Sequence, residues 1–139
     1  MTNLHRTDIS GLILTGGKSS RMGTNKALLP LGKINAITRI VEIAKTNCAQ
    51  IVLATNEPEK YQFLALPCVK DVYKGKGPLG GLHSGLSAIE TDWVLVFPCD
   101  LPLISVEYIQ PLLEAEVKYD IVIYESAGRL HPLFGRYNR

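Results

Sequence analysis

The fold begins in the segment Ile9-Ser-Gly-Leu-Ile-Leu-Thr-Gly-Gly-Lys-Ser-Ser-Arg-Met-Gly-Thr-Asn-Lys26. Its apolar start, Ile9 to Leu14, predicts a buried β-strand. A loop rich in glycine and cations follows directly, and glycine lets a backbone approach a ligand closely. Serine hydroxyls and the charges of Arg21 and Lys26 would donate hydrogen bonds to an anion. The segment therefore predicts a strand that leads into a cradle for a triphosphate.

The spacing of this loop matches neither of two common phosphate-binding motifs. A Walker A motif would place a lysine directly after Gly23, whereas Thr24-Asn25 precede Lys26 here. A dinucleotide fingerprint, Gly-x-Gly-x-x-Gly, is not matched either, because Gly16-Gly17 are adjacent and Gly23 follows much later. The alternative is a solvated surface turn. The concentration of glycine, serine, arginine and lysine behind one strand favours the phosphate cradle.

Length and composition predict a single domain, residues 1–139. The sequence has 139 residues, and its net charge of +2 is too small to indicate a surface for nucleic acid or anionic membrane. The cysteines Cys48, Cys68 and Cys99 show no metal-ligand spacing and no disulfide framework. No apolar run is long enough for a transmembrane helix, and the N-terminus does not resemble a signal peptide. We therefore expect a cytoplasmic protein with no nucleic-acid or membrane partner.

Strand and helix patterns alternate along the chain. Ile37, Ile40 and Val41 have helical spacing after Asn35, and the run Trp93 to Phe97 predicts a buried strand. Repeated strand–helix–strand units predict an α/β fold with a mostly parallel sheet and helices on both faces. The other predicted strands are Ile51–Ala54, Val69–Val72, Ile121–Tyr124 and Leu133–Tyr137, the last two separated by a turn at Glu125–Arg129. The other predicted helices are Glu59–Ala65, Gly81–Thr91 and one from Ser105 to Glu116 that Pro111 should kink or shorten.

Polar residues lie at the carboxyl ends of several predicted strands. Thr55-Asn56 follow the second strand, Asp71 ends the third, and Pro98-Cys99-Asp100 follow the strand at Trp93. Ligands of open parallel sheets bind beyond the carboxyl ends of the strands. We therefore expect these residues to meet the glycine-rich loop at one edge of the sheet.

Each of these polar sites has two interpretations. Asp100 could hold Mg²⁺ against phosphate oxygens or cap a turn, and the nearby phosphate loop favours the metal role. Asn56 could bind a base or ribose or close an Asx turn, and Asp71 could bind a nucleoside or face water; both questions stay open. A second glycine cluster, Lys76–Gly85, precedes a helix and could meet an anion or permit tight packing.

Two further residues show no catalytic pattern. His131 begins the last predicted strand without a nucleophile at a recognisable spacing, so we expect it to be structural. Cys99 is expected to act as a small apolar residue and not as a nucleophile.

Four motifs together resemble the molybdenum cofactor guanylyltransferases. In chain order they are Leu14-Thr-Gly-Gly-x-Ser-x-Arg-Met-Gly-x-x-Lys-Ala-Leu-Leu, Gly77-Pro-Leu-Gly-Gly, Pro98-Cys-Asp-Leu-Pro and His131-Pro-Leu-Phe. They occur in the family's order and cover nearly the whole chain. The first motif alone indicates only the wider nucleotidyltransferase group, which includes sugar-nucleotide pyrophosphorylases. The Gly-Gly pair of the first motif and the Gly-Pro-Leu segment favour the guanylyl branch over the cytidylyl branch.

The resemblance implies a Rossmann-like three-layer nucleotidyltransferase fold and a specific reaction. The terminal phosphate of molybdopterin would attack the α-phosphorus of GTP, and pyrophosphate would leave. Arg21 and Lys26 would offset phosphate charge and Asp100 would hold Mg²⁺, so these three are the implied catalytic residues. Transient contact with other proteins of molybdenum cofactor biosynthesis is also implied. The residues implied in GTP binding are Leu14, Thr15, Gly16, Gly17, Lys26, Asn56, Asp71 and Asp100.

The sequence departs from the family pattern at three places. Thr15 stands where the family usually has alanine, and Asn25 stands where an aspartate is usual. Family members also run longer and carry an Asn-x-Asn-Thr-Pro segment near the cofactor site, so the domain is expected to be short at its C-terminal end. Two alternative functions follow: a GTP-binding module without activity, or a nucleotidyltransferase with another acceptor, such as a sugar phosphate, or with cytidylyl transfer.

Overall fold

A computed structural model describes residues 4–15, 30–31, 34–99 and 104–139. Short 3-10 helices lie at Arg6–Asp8 and Pro58–Leu64. No described helix has the length and apolarity needed to cross a membrane. The α-helices are α1 (Ala36–Asn47), α2 (Pro78–Ala88) and α3 (Val106–Glu114). The strands are β1 (Ile9–Leu14), β2 (Pro30–Leu31), β3 (Ile34–Asn35), β4 (Gln50–Ala54), β5 (Cys68–Val69), β6 (Trp93–Pro98), β7 (Ile121–Ser126) and β8 (Arg129–Asn138).

The main sheet is mixed and mostly parallel. Its strand order is β5-β4-β1-β6-β8-β7, with the first four strands parallel and with β8 antiparallel to both of its neighbours. Leu14 pairs with both Ala54 and Pro98, and Ala54 pairs with Val69. The four parallel strands therefore end level with one another, and we call this line of residues the carboxyl edge. Strands β2 and β3 form a separate antiparallel pair.

Helices cover both faces of the sheet, as the sequence predicts. Side chains alternate along β1: Ile9 and Ile13 belong to one core cluster, and Leu12 and Leu14 belong to the other. The first cluster includes the buried faces of α1 and α3, and the second packs against α2. Because β1, β4 and β6 are buried on both faces, their sequences are nearly continuous apolar runs.

The third strand is shorter than predicted. The pattern predicts a strand at Val69–Val72, whereas β5 ends at Val69. The backbone N–H of Asp71 donates to Oδ1 of Asn56 at 2.9 Å, so a side chain and not a strand holds this segment. Asp71 therefore lies beyond the strand and does not end it.

The helix boundaries also differ from the prediction. Helix α2 begins at Pro78 and not at Gly81, because proline suits the first helical position, where no N–H bond is needed. It ends at Ala88, and Ile89 is already extended. Helix α3 ends at Glu114, in keeping with the shortening expected from Pro111.

The last two strands form a tighter hairpin than predicted. The turn expected at Glu125–Arg129 is only Ala127-Gly128, with φ values of 51° and 76°. Two successive residues of positive φ make the turn that best matches the twist of a hairpin. Strand β8 consequently begins at Arg129 and not at Leu133.

A fully buried arginine joins β8 to the end of α3, and sequence analysis missed it. Arg136 is 0% exposed. Its Nη1 donates to the carbonyls of Leu112 and Ala115, and its Nη2 donates to those of Glu116 and Tyr119, at 2.6 to 3.3 Å. The last carbonyls of a helix have no intrahelical partner, so this guanidinium caps the C-terminus of α3. Burial lowers the pKa of Arg136 from its usual value.

The packing of α2 on β1 depends on a glycine. A Cβ atom at Gly85 would lie 2.3 Å from Cδ1 of Leu12, whose side chain is fully buried. We expect Gly85→Ala to lower the free energy of unfolding by about 1–3 kcal/mol because the core must shift to admit the methyl group. Urea denaturation measures this loss. Ser87→Ala, on the exposed side of the same helix, is the matched control and should change stability by less than about 0.5 kcal/mol; equal losses in both variants would contradict the packing argument.

Candidate functional site

Thr15, directly after β1, is bonded to β4, and Leu14 is bonded to the residue after β6. Thr15 donates its backbone N–H and its hydroxyl to the carbonyl oxygen of Ala54, at 3.1 and 2.8 Å. On the other side, the N–H of Cys99 donates to the carbonyl of Leu14 at 3.3 Å, and the thiol donates to the same oxygen at 2.7 Å. These bonds fix the residues that immediately precede the glycine-rich segment, and they hold them at the carboxyl edge.

Asn56 and Asp71 form a pair beyond β4 and β5. The amide Nδ2 of Asn56 donates to Oδ2 of Asp71 at 3.2 Å, and its Oδ1 accepts the backbone N–H of Asp71 at 2.9 Å. Asn56 is exposed and Asp71 is half-buried. Within the described ranges, the second amide N–H of Asn56 and Oδ1 of Asp71 have no partner. The pair therefore presents one donor and one acceptor side by side at the carboxyl edge.

The first turn of α2 lies directly against Asp71. A Cβ atom at Gly80 would lie 3.1 Å from Oδ2 of Asp71 and 3.0 Å from the carbonyl oxygen of Tyr73. A Cβ atom at Gly81 would lie 3.4 Å from both Ala54 and Leu14. The second glycine cluster thus permits the close packing that was one of its two interpretations. A carboxylate beside a helix N-terminus is also electrostatically favoured.

Contacts from α2 hold the segment that follows Asp71. The buried hydroxyl of Ser84 accepts the backbone N–H of Val72 at 2.8 Å. The rings of Tyr73 and His83 lie 5.0 Å apart with an interplanar angle of 52°. Sequence analysis missed Ser84, because a serine inside a helix gives no signal of its distant backbone partner. Its bond stiffens the segment that carries Asp71.

The described part of the chain brings together several of the predicted GTP-binding residues. Leu14, Thr15, Asn56 and Asp71 all lie at the carboxyl edge. The side chain of Leu14 is buried in the core, so its carbonyl is the group directed toward Cys99. The other predicted site residues, Gly16, Gly17, Arg21, Lys26 and Asp100, lie outside the described residues.

The carboxylates near this edge can be compared with the ligands that a divalent cation takes. Among residues 4–15, 30–31, 34–99 and 104–139, no three His, Cys, Asp or Glu side chains gather as a metal site. Asp71 is a described carboxylate of this edge, and Asp100 follows Cys99 in the sequence. Magnesium typically binds one or two carboxylates together with substrate phosphates. Asp71 therefore offers one carboxylate of this kind in the described part of the edge.

The chain is similar to known proteins along nearly its whole length. A family model described as the MobA-like NTP transferase domain matches residues 11–139. A protein of Carboxydothermus hydrogenoformans named "Probable molybdenum cofactor guanylyltransferase" is 40% identical over 127 residues, which are 91% of this chain and 64% of that protein. A protein of the same name from Clostridium perfringens strain 13 is 39% identical over 131 residues, 94% of this chain and 66% of that protein. The chain thus spans less than two thirds of the length of these relatives.

Solved structures share the fold. A crystal structure of an Aquifex aeolicus protein matches with a TM-score of 0.76 and 26% identity, covering 97% of this chain and 71% of that one. The molybdopterin-guanine dinucleotide biosynthesis protein A of Archaeoglobus fulgidus matches with a TM-score of 0.74 and 22% identity, covering 93% of this chain and 67% of that one. A Mycobacterium tuberculosis protein in complex with manganese matches with a TM-score of 0.70 and 16% identity, covering 96% and 72%. These matches show the fold, and the family model and the curated relatives show that the chain belongs to the MobA-like NTP transferase domain family.

Proposed function

We propose that this protein is a nucleotidyltransferase that transfers GMP from GTP to the terminal phosphate of molybdopterin. The observation that carries the proposal is the convergence of Thr15, the Asn56–Asp71 pair and Cys99 at the carboxyl edge, where ligands of such sheets bind. Membership of the MobA-like family and relatives named as molybdenum cofactor guanylyltransferases support the choice of nucleotide and acceptor.

The proposed reaction is an in-line displacement at phosphorus. An oxygen of the acceptor phosphate forms a bond to the α-phosphorus of GTP, and the bond from that phosphorus to the β-phosphate oxygen breaks. Pyrophosphate leaves with the electron pair. Such transfers depend on positioning and on neutralising charge, and the nucleophile is already an anion. This accounts for a site in which the proposed groups are the cations Arg21 and Lys26, without a histidine or serine base.

Different residues would bind the guanosine and the triphosphate of GTP. The second amide N–H of Asn56 and Oδ1 of Asp71 would offer a donor and an acceptor to the guanosine, while the loop Gly16–Lys26 would bind the triphosphate. Asp100 would hold Mg²⁺, which supplies charge neutralisation for phosphate oxygens when bound. The manganese complex of a protein with the same fold supports a divalent cation in this fold.

A direct assay tests the proposal. The protein is incubated without oxygen with Mg²⁺, GTP and molybdopterin, and the guanine dinucleotide and pyrophosphate are measured by mass spectrometry and a coupled assay. We expect both products in equal amounts, and neither when the acceptor is omitted. GTP binding without product would instead indicate the inactive nucleotide-binding module. A preference for CTP or UTP, or for a sugar phosphate, would count against guanylyl transfer to molybdopterin.

The Asn56–Asp71 pair gives a second test. We expect Asn56→Asp to raise the Kd for GTP about tenfold, because a second carboxylate replaces the donor and repels Asp71. Calorimetric titration measures the affinity. Asn138→Asp is a matched control at the opposite end of the sheet, since Nδ2 of Asn138 donates to a carboxylate oxygen of Asp120 at 3.0 Å. Equal weakening by both variants would show a general charge effect and contradict the proposed contact.

A further inference from the structure

We propose that the tip of the β7–β8 hairpin, residues 124–131, binds the phosphate of the acceptor through Arg129 and His131. This inference rests on the proposed function, because the acceptor proposed there, molybdopterin, presents an anionic phosphate to the α-phosphorus of the nucleotide. Arg129 and His131 are not among the residues proposed to bind GTP.

The sheet register directs the hairpin toward the carboxyl edge. Val96 of β6 pairs with Gly135, which in turn pairs with Ile123 of β7, so these residues are level. Pro98, at the carboxyl edge, is two residues beyond Val96, or about 7 Å along an extended strand. The register between β7 and β8 shifts at this point, because Ile123 pairs with Gly135 whereas Tyr124 pairs with His131, so residues 132–134 form a bulge in β8. Ser126 lies three residues beyond Ile123, in the direction of the carboxyl edge. The tip of the hairpin is therefore directed toward the carboxyl edge.

Aromatic packing holds the base of the hairpin in place. Tyr124 stacks on Phe134 with ring centroids 5.1 Å apart, and Phe134 lies 6.0 Å from the ring of Phe97 in β6. The ring of Tyr124 also meets that of Tyr108 edge-on, and its hydroxyl donates to the Tyr108 carbonyl. The hairpin is thus packed against β6 and α3, the elements that flank the segment containing Asp100.

Polar side chains share one face of the tip. Tyr124 pairs with His131 and Ser126 pairs with Arg129, so these four residues lie on one face, while the pair Glu125–Leu130 lies on the other. Oγ of Ser126 is 2.7 Å from Nε2 of His131, which orients the imidazole. Ser126, Arg129 and His131 are all exposed. In the described part of the chain, Arg129 forms no ion pair.

The chemistry of this face suits a phosphomonoester. Guanidinium binds phosphate through two parallel N–H groups, and an imidazole and a hydroxyl add further donors. The carboxylate of the tip, Glu125, belongs to the opposite face and does not oppose an anion there. The cation Arg129, at the tip of the hairpin, would attract the phosphate of an acceptor.

Equilibrium binding tests the proposal independently of turnover. Anaerobic titration with molybdopterin gives its Kd for the wild type, for Arg129→Ala/His131→Ala, and for Arg129→Lys. We expect the double variant to raise this Kd at least about tenfold, with the lysine variant intermediate and the Kd for GTP unchanged. In steady-state assays the KM for molybdopterin should rise while that for GTP stays constant. Leu130→Ala, on the opposite face of the same hairpin, should leave both affinities unchanged.

The outcomes separate this inference from the proposed function. Wild-type affinity for molybdopterin in the double variant, an equal loss in Leu130→Ala, or a wild type that binds GTP but not molybdopterin would each overturn the hairpin proposal. Selective loss of molybdopterin binding in the double variant would support it even if no GMP transfer occurred. Transfer of GMP with unchanged KM for molybdopterin in the double variant would leave the proposed function standing and reject the hairpin contact.

Discussion

Replacing Arg136 with alanine is expected to lower the free energy of unfolding by about 3–5 kcal/mol, enough to unfold much of a marginally stable domain. The guanidinium is fully buried and donates to four backbone carbonyls at the end of α3 and in the segment after it. Removing it takes the donor from these acceptors, of which the bond to Leu112 is buried and the other three are partly buried. An unsatisfied buried group costs about 1–3 kcal/mol. It also removes the cation that lies 4.6 Å from the centre of the Trp93 ring. Urea denaturation gives the loss directly.

Two other variants distinguish the contribution of the Arg136 hydrogen bonds to stability from that of its positive charge. Arg136→Lys keeps the charge but loses the planar set of donors, so we expect it to recover only part of the lost stability. Arg139→Ala removes an exposed arginine whose Nε donates to one carbonyl, that of Leu86, at 2.8 Å. This control should cost less than about 1 kcal/mol. If Arg136→Ala were as mild as Arg139→Ala, the four-carbonyl network would not contribute to stability.

Asp100→Asn is expected to lower the rate of GMP transfer by about 100- to 1,000-fold, because a neutral amide cannot hold Mg²⁺ against the phosphates as a carboxylate does. The affinity for GTP should fall much less, since contacts from Thr15, Asn56 and Asp71 are retained. Single-turnover assays and calorimetry measure the two effects separately.

The control for this prediction is Asp92→Asn, the same change at the other end of β6, which should leave the transfer rate within about twofold. Unchanged turnover in Asp100→Asn would reject the metal role of Asp100. A parallel loss of GTP affinity and of rate would instead assign Asp100 to nucleotide binding alone.

The central strands of the fold could be predicted because their own sequences carry the signal of burial. The strands β1, β4 and β6 are buried on both faces, so their apolar runs are visible without knowledge of their neighbours. The short β5 could not be placed correctly, because what ends it is a side-chain bond from Asn56, fifteen residues earlier in sequence. The hairpin turn was misjudged because Ala127, an alanine of positive φ, is not a residue that signals such a turn.

The site was partly predictable for a topological reason. Once the sheet is taken as parallel, Thr15, Asn56 and Asp71 must follow strand ends at the same edge, and the structure brings Asn56 and Asp71 into contact. Ser84 and Arg136 could not be foreseen, because each bonds to backbone groups of a different element. A polar residue in an apolar strand, such as Arg136 between Gly135 and Tyr137, is the one signal that could have drawn attention to it.

Strand β8 lies between β6 and β7, so the attachment of β7 to the sheet depends on β8. Strand β7 has β8 as its sheet neighbour, whereas β8 also pairs with β6. Local opening at the outer side of the sheet is therefore nested: β7 can detach while β8 stays paired, but release of β8 takes β7 with it and frees the end of α3 held by Arg136. The parallel strands that form the carboxyl edge remain paired through either event.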